Sequence, residues 1–233
     1  MIEINEIKKR IVCIESTIQK KLAKLNPKNG KGVNWEEIWN LQQELLQLKR
    51  SVFIYHGEET AIPIPNIYPQ CSGAPIPLVL SNGYKTLLLF YIGTSNPNWN
   101  EKANKIKILD ENSKDYIALI CFDLCRSFKY GGVNDEALHG HPLYDRGLVA
   151  YEMHEVKNSS WISELKKMNS VHDCYDEKDW SSTKHIIFTF HDEIFECIAD
   201  NYSVQIYKGS QSEVYKIACE LLTFTGRISL SND

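Results

Sequence analysis

The segment AIPIPNIYPQCSGAPIPLVL (61–80) divides the chain into two parts with different hydrophobic periods, and it places five prolines within the fifteen residues 63–77. Proline has no amide hydrogen to donate, and it pushes the residue before it out of the helical region, so nothing here can be helical. An extended connector is expected over residues 57–76, with different architecture on either side.

Upstream, Ile4, Ile7, Ile11, Ile14, Ile18, Leu22 and Leu25 recur at steps of three and four, with Glu, Lys and Gln filling most of the positions between. That is the signature of one amphipathic helix. NPKNGKGVN breaks it, and a second series follows at Ile38, Leu41, Leu45, Leu48, Val52 and Tyr55. Residues 1–56 should therefore form an antiparallel helical hairpin. Its narrow apolar seam serves either to pack the two helices on each other or to make a homodimer.

Downstream the period falls to two, in runs rich in β-branched and aromatic residues: YKTLLLFYI, KIKIL, DYIALICFDL, GLVAYEMHEV, HIIFTFH, IFECIA and YSVQIY. Turns such as SNG and DENSKD are short, which favours antiparallel pairing over crossover helices. Two helices interrupt the strands, one after KNSS with Trp161, Ile162, Leu165 and Met168 on one face. The other opens with Ser210 and Glu213 at capping-box spacing and carries Val214, Ile217, Ala218, Leu221 and Leu222. Residues 77–233 read as an α+β body, a mainly antiparallel sheet backed by helices.

With 26 basic against 30 acidic residues and a net charge of −4, the chain lacks the cationic excess that neutralises phosphates, so nucleic acid is not an expected partner. Seven cysteines without a CxxC pair read as reduced thiols, and Cys121 and Cys125 are expected on one face of a strand. The start MIEINEIKKR has charges where a signal peptide would be apolar, and no apolar run is long enough for a membrane span. A cytoplasmic protein is expected, away from membranes. The five tryptophans, Trp35, Trp39, Trp99, Trp161 and Trp180, read as packing anchors.

Two segments carry the residues that could do chemistry. In HIIFTFHDEIFECIAD, a two-residue turn at Asp192–Glu193 would set Phe190 against Phe195 and Phe188 against Cys197 on a core face. The other face would be half exposed, with His185 opposite Asp200 and Thr189 opposite Glu196. A histidine facing a carboxylate across strands can be held in one tautomer and so become a general base.

The loop GGVNDEALHGHPLYDRG (131–147) adds Asn134, Asp135, Glu136, His139, His141, Asp145 and Arg146. On an extended strand His139 and His141 would point to one side and supply half of a metal site. The competing reading is a loop locked by its own hydrogen bonds, with Asn134, Asp135 and His139 satisfying backbone groups. Arg146 would grip an anion or neutralise Asp145 and Glu152. The catalytic candidates are His139, His141, His191 and Glu196, and the ligand-binding candidates are Asn134, Asp135, His141, Arg146, His185, His191 and Asp192. No metal site is assigned, His139 and His141 being the best ligands on offer. No nucleotide-loop, nucleophile-elbow or HExxH motif appears, and no cofactor is expected.

GAPIP at 73–77, NDEALHGHPL at 134–143, NSSWI at 158–162 and FHDEIFE at 190–196 stand in an order that resembles an uncharacterised family of small bacterial cytosolic proteins, over about residues 70 to 200. The resemblance implies a bacterial origin and brings no activity, substrate or catalytic residue with it. The leading expectation is a non-enzymatic binding protein with a protein partner or small ligand, in the manner of a toxin-neutralising immunity protein. The rival is a metal- or histidine-dependent hydrolase that joins loop 134–146 to the 185–200 hairpin.

Overall fold

A computed structural model of the chain describes residues 4–25, 32–69, 73–93 and 108–223. The class is α+β. The chain divides into two compact units, one made of Met1–Ile62, Pro142–Leu148 and Val156–Ser159, the other of Pro63–His141, Val149–Glu155 and Ser160–Asp233. Trp99 and most of KIKIL (105–109) lie outside the described residues.

The first unit holds helices α1 (Ile4–Leu22) and α2 (Trp35–Tyr55). Asn34 caps α2 by accepting a hydrogen bond from the Glu37 amide at 3.2 Å. Ile14, Ile18 and Ile38 are buried between the helices, with Val33, Leu41, Leu45 and Leu48 packed on them. The middle of the seam read from the sequence thus packs within the hairpin, while Leu22 and Tyr55 on it are exposed. Ion pairs Arg10–Glu44 and Lys49–Glu15, each at 2.8 Å, flank it but are well exposed, so they set register more than stability. Trp35 and Trp39 do not anchor packing, being 54% and 59% exposed one turn apart on α2.

The end of the odd loop belongs to this unit. Arg50, buried on α2, donates to the Gly147 carbonyl. Gly147 has φ +99°, and a Cβ there would lie 2.6 Å from the Ala61 carbonyl oxygen, so both the conformation and the close approach demand glycine. Arg146 pairs with Glu58 and lies 4.7 Å above the Phe53 ring. Its carboxylate partner is Glu58, not the expected Asp145 or Glu152, because the turn Tyr144–Arg146 packs against α2.

Nine strands among the described residues form two sheets where one was expected. The strands are β1 (Thr60–Ile64), β2 (Leu78–Ser81), β3 (Lys85–Tyr91), β4 (Asp115–Asp123), β5 (Ser127–Gly131), β6 (Met153–Lys157), β7 (Lys184–Thr189), β8 (Ile194–Ala199) and β9 (Asn201–Gly209). One sheet has the order β1-β6-β7-β8-β5 and the other β2-β3-β4-β9. Leu88 and Phe90 of β3 and Ala118, Ile120 and Phe122 of β4 share one core with Ile186, Phe188, Phe195, Cys197 and Ala199 of β7 and β8.

The alternate residues Leu87, Leu89, Tyr91, Ile117 and Leu119 form a second core with Val214 and Ala218 of α4 (Gln211–Thr223). Burial on both faces explains why LLLFY and IALICF read as unbroken apolar runs. The capping box of α4 forms as expected, with Glu213 N donating to Ser210 Oγ and Ser210 N to Glu213 Oε2. Cys121 and Cys125 do not share a face. Leu124, at φ +49°, turns the chain after β4, so Cys121 joins the α4 core and Cys125 the core between the sheets. No helix among the described residues is long and apolar enough to cross a membrane.

Phe188 sits amid the rings of Phe90, Phe122, Phe190 and Phe195, with centroids 5.6–6.4 Å from its own. Phe188→Ala is expected to destabilise the fold by about 3–5 kcal/mol through lost burial and the cavity left behind. In urea unfolding the midpoint should fall at unchanged slope, and a loss under about 1 kcal/mol would place the core elsewhere.

Candidate functional site

The β7–β8 hairpin is the platform. Its pairing runs Ile186↔Cys197, Ile187↔Glu196, Phe188↔Phe195 and Thr189↔Ile194, and the Phe190 amide donates to the Glu193 carbonyl at 2.9 Å. The two-residue turn is therefore His191–Asp192, one residue earlier than the expected Asp192–Glu193. Each pairing moves by two residues, which keeps every side chain on its predicted face and leaves the hydrophobic pattern unable to tell the two registers apart.

The second face is not half exposed. His185, Ile187, Thr189, Ile194 and Ile198 are all 5% exposed or less. Thr189 Oγ1 donates to the Val149 carbonyl at 2.8 Å and accepts from the Glu152 amide at 3.2 Å.

Two histidine–carboxylate groupings stand on this platform. In the first, His185 Nε2 lies 3.0 Å from Glu196 Oε2 and His141 Nε2 lies 3.7 Å from Glu196 Oε1. Lys129 of β5 is the cross-strand partner of Glu196, and its ammonium sits 3.8 Å above the Trp161 ring. Trp161, on α3 (Ser160–Asn169), meets the His185 ring edge to face at 5.3 Å.

Burial alone would push the Glu196 carboxyl up. The hydrogen bonds from His141 and His185, with the charges of His185 and Lys129, outweigh burial and hold it well below the usual carboxylate range. His185 thus pairs with Glu196 and not with Asp200, which instead accepts from Arg126 at 2.9 Å and from Thr183 at 2.6 Å.

In the second grouping the Asp135 amide donates to the His191 carbonyl at 2.9 Å, which fastens the loop to the turn. His191 Nδ1 lies 3.1 Å from Asp135 Oδ2 and 3.1 Å from the Tyr151 hydroxyl, which itself donates to Asp135. Tyr151 is held at φ +61°, a left-handed conformation that costs a bulky residue of order 1–3 kcal/mol, so its neighbours fix it firmly. The Tyr151 hydroxyl first, and His191 after it, hold the Asp135 carboxyl below its ordinary range. The His191 side chain remains 48% exposed, so its other nitrogen, Nε2, belongs to an accessible imidazole.

The remaining candidates fall away from these groupings. His139 and His141 do not act as a strand pair, because Leu138–Gly140 forms a 3-10 turn; His139 is exposed, with Nδ1 3.0 Å from its own loop's Glu136 carbonyl. Asn134 accepts from the Ala137 amide at 3.0 Å, as expected of a residue that closes a turn. Arg146 belongs to the first unit. Among the described residues no group of three or more His, Cys, Asp or Glu is disposed to hold a metal ion.

Beside His191 a shallow groove runs between Ala74–Pro77 and His191–Glu193, with Tyr91 and Phe190 in its lining. Ile76 is 54% exposed at its edge. Tyr130 donates to the Pro77 carbonyl at 2.6 Å, and burial, with the nearby Glu193, pushes its hydroxyl up to about 12. Lys129 and Tyr151 did not stand out in the sequence, Trp161 was read only as a packing anchor and Glu193 only as a turn residue. Lys129 needed the β5–β8 pairing to be known, and Tyr151 carries no local signal at all.

Glu196 supplies a pH test. A carboxyl held below its unfolded value adds stability that is fully present above pH 4.5 and is lost as the pH falls towards the depressed folded value. Thermal midpoints of the wild type should exceed those of Glu196→Gln at neutral pH, and the gap should narrow below pH 4.5. A gap that stays constant down to pH 3, roughly a unit below the ordinary glutamate value, would show that the ionised form does not matter.

Compared with known proteins, the chain matches no family model, no curated protein and no solved structure.

Proposed function

We propose that this chain is a binding protein that recognises a partner at the groove between Ala74–Pro77 and His191–Glu193. One observation carries the reading. Three of the four histidines of the loop and hairpin are engaged with carboxylates there, His141 and His185 on Glu196 and His191 on Asp135 and Tyr151, while His139 stays exposed. The polar residues that looked like a reaction centre are the supports of a rigid surface. A turn fixed from beneath in this way loses little freedom when a partner docks on it.

The same proposal places the protein in a bacterial cytoplasm, in a role of the kind that immunity proteins have, where binding alone blocks a partner. Its acidic balance argues for a protein or small ligand over nucleic acid. A homodimer through α1 and α2 would use the exposed Trp35 and Trp39, the middle of the seam being occupied. Sedimentation of Trp35→Ala/Trp39→Ala against the wild type tests it, equal masses refuting it.

A second reading has one observation in its favour. Asp135 orients His191 through Nδ1 and leaves Nε2 on an accessible ring, the arrangement of a histidine general base. The decisive experiment compares wild type and His191→Ala on ester, phosphate-ester, peptide and glycoside substrates. Binding predicts indistinguishable rates. A His191-dependent rate more than about a hundredfold above the variant, the usual contribution of one general base, would replace binding with hydrolysis.

A further inference from the structure

We propose that Cys125 and Cys197 form an oxidation site for hydroperoxides, Cys125 being the sulfur that reacts and Cys197 the one that closes a disulfide with it. The period of a regular strand would keep them apart. Cys197 pairs with Phe128 and Ile198 with Ser127, so Cys125 would share the face of Ser127 and point away from Cys197. The Arg126 amide, however, also donates to the Ile198 carbonyl, at 2.8 Å. Two residues of one strand thus stand against one of the other, as in a β-bulge, and the extra residue turns Cys125 to the face of Phe128. There it packs on the core that holds Cys197, and the Cys197 thiol donates a hydrogen bond to its sulfur. Both thiols are free.

The two sulfurs differ in what they can do. Cys197 is fully buried, and burial, with its bond to Cys125, pushes its thiol well up, so it keeps its proton. Cys125 is only partly buried, which leaves its sulfur open to a small oxidant. The Cys197 thiol first, and the Thr86 hydroxyl and the Ser127 backbone after it, stabilise the Cys125 thiolate against burial and bring the group down to about 7. Near neutral pH much of it is therefore thiolate, the form that attacks a peroxide.

The exchange balances. The Cys125 thiolate attacks one oxygen of the hydroperoxide, the O–O bond breaks, and the alcohol or water takes a proton from solvent as it leaves, so that Cys125 becomes a sulfenic acid. The Cys197 sulfur then attacks the Cys125 sulfur, the S–O bond breaks, and the departing hydroxide carries off the Cys197 proton as water. Two thiols give up two electrons to form one disulfide, and those electrons reduce the O–O bond. β5 is the outermost strand of its sheet, held by β8 on one side only, so it can make the small movement that an S–S bond requires.

The test treats the full chain, folded and at neutral pH, with a few equivalents of hydrogen peroxide. Remaining thiols are blocked with N-ethylmaleimide, and a digest made without reductant is read by mass spectrometry. The expected product is a Cys125–Cys197 link within one chain, two hydrogen atoms lighter than the free pair and reversed by dithiothreitol. Cys197→Ala should stop at the sulfenic acid of Cys125, caught as its dimedone adduct, and Cys125→Ser should leave Cys197 a free thiol.

Circular dichroism shows whether each variant is folded, and the wild-type digest decides the matter even where one is not. A Cys125 that is still a thiol after the exposed Cys13 and Cys174 have been oxidised would overturn the proposal. So would a Cys125 joined to any other cysteine, in the same chain or a second one, or driven to sulfinic acid while Cys197 stays free.

Discussion

Folding strips Glu196 of most of its water, and a carboxylate in that position must be given donors or be protonated. It is given His185 from the adjacent strand, His141 from the loop and the charge of Lys129 from the strand on its other side. That requirement shapes much of the surrounding structure. It draws the loop's last histidine down onto the sheet, sets Lys129 beneath Trp161, and so brings α3 over the same face. The face is thereby closed to solvent, and the polar residues on it become interior groups with partners.

Closure on that side leaves the hairpin's turn as the exposed end of the platform. At the hairpin's end Asp135 and Tyr151 hold the exposed His191, Asp192 is exposed beside it, and Glu193, its Oε2 sealed from solvent, lines the groove with Ala74–Pro77. Strain at Tyr151 fits this arrangement. A bulky residue kept in a left-handed conformation needs neighbours that over-determine it, and its hydroxyl reaches both partners from that conformation. The division of labour follows: one carboxylate network holds the loop to the sheet, the other stiffens the turn that faces outward.

The parts of this that could be read from the chain are those governed by local period. The helices appear where the spacing of three and four places them, and each inward residue of β7 and β8 was assignable to its face. The pairing register was not, because a slip of two residues leaves every face unchanged and only the turn bond from Phe190 to Glu193 chooses between the alternatives. Nor could the H-x-H step be judged alone. Extended backbone would have put His139 and His141 side by side, but a 3-10 turn between them sends one to solvent and the other to Glu196. Unbroken apolar runs in β3 and β4 did hold the clue to the second layer. A strand buried on one face alternates, and these do not.

Whether His191 supports a contact or a reaction turns on what lies within reach of its Nε2. A general base works on a proton that is positioned for it, and positioning needs donors that hold the electrophile and exclude water. The wall across from His191 is built from prolines, and its carbonyls accept the Tyr130 hydroxyl and the Gln211 amide. Pro75 and Pro77 add no amide donor there to hold a developing negative charge. The groove is also open, where a hydrolytic centre gains from closure because screening by water weakens each polar interaction. The proposed binding role rests on this setting of His191, with Asp135 and Tyr151 engaged on one side of its ring and a wall containing Pro75 and Pro77 near the other.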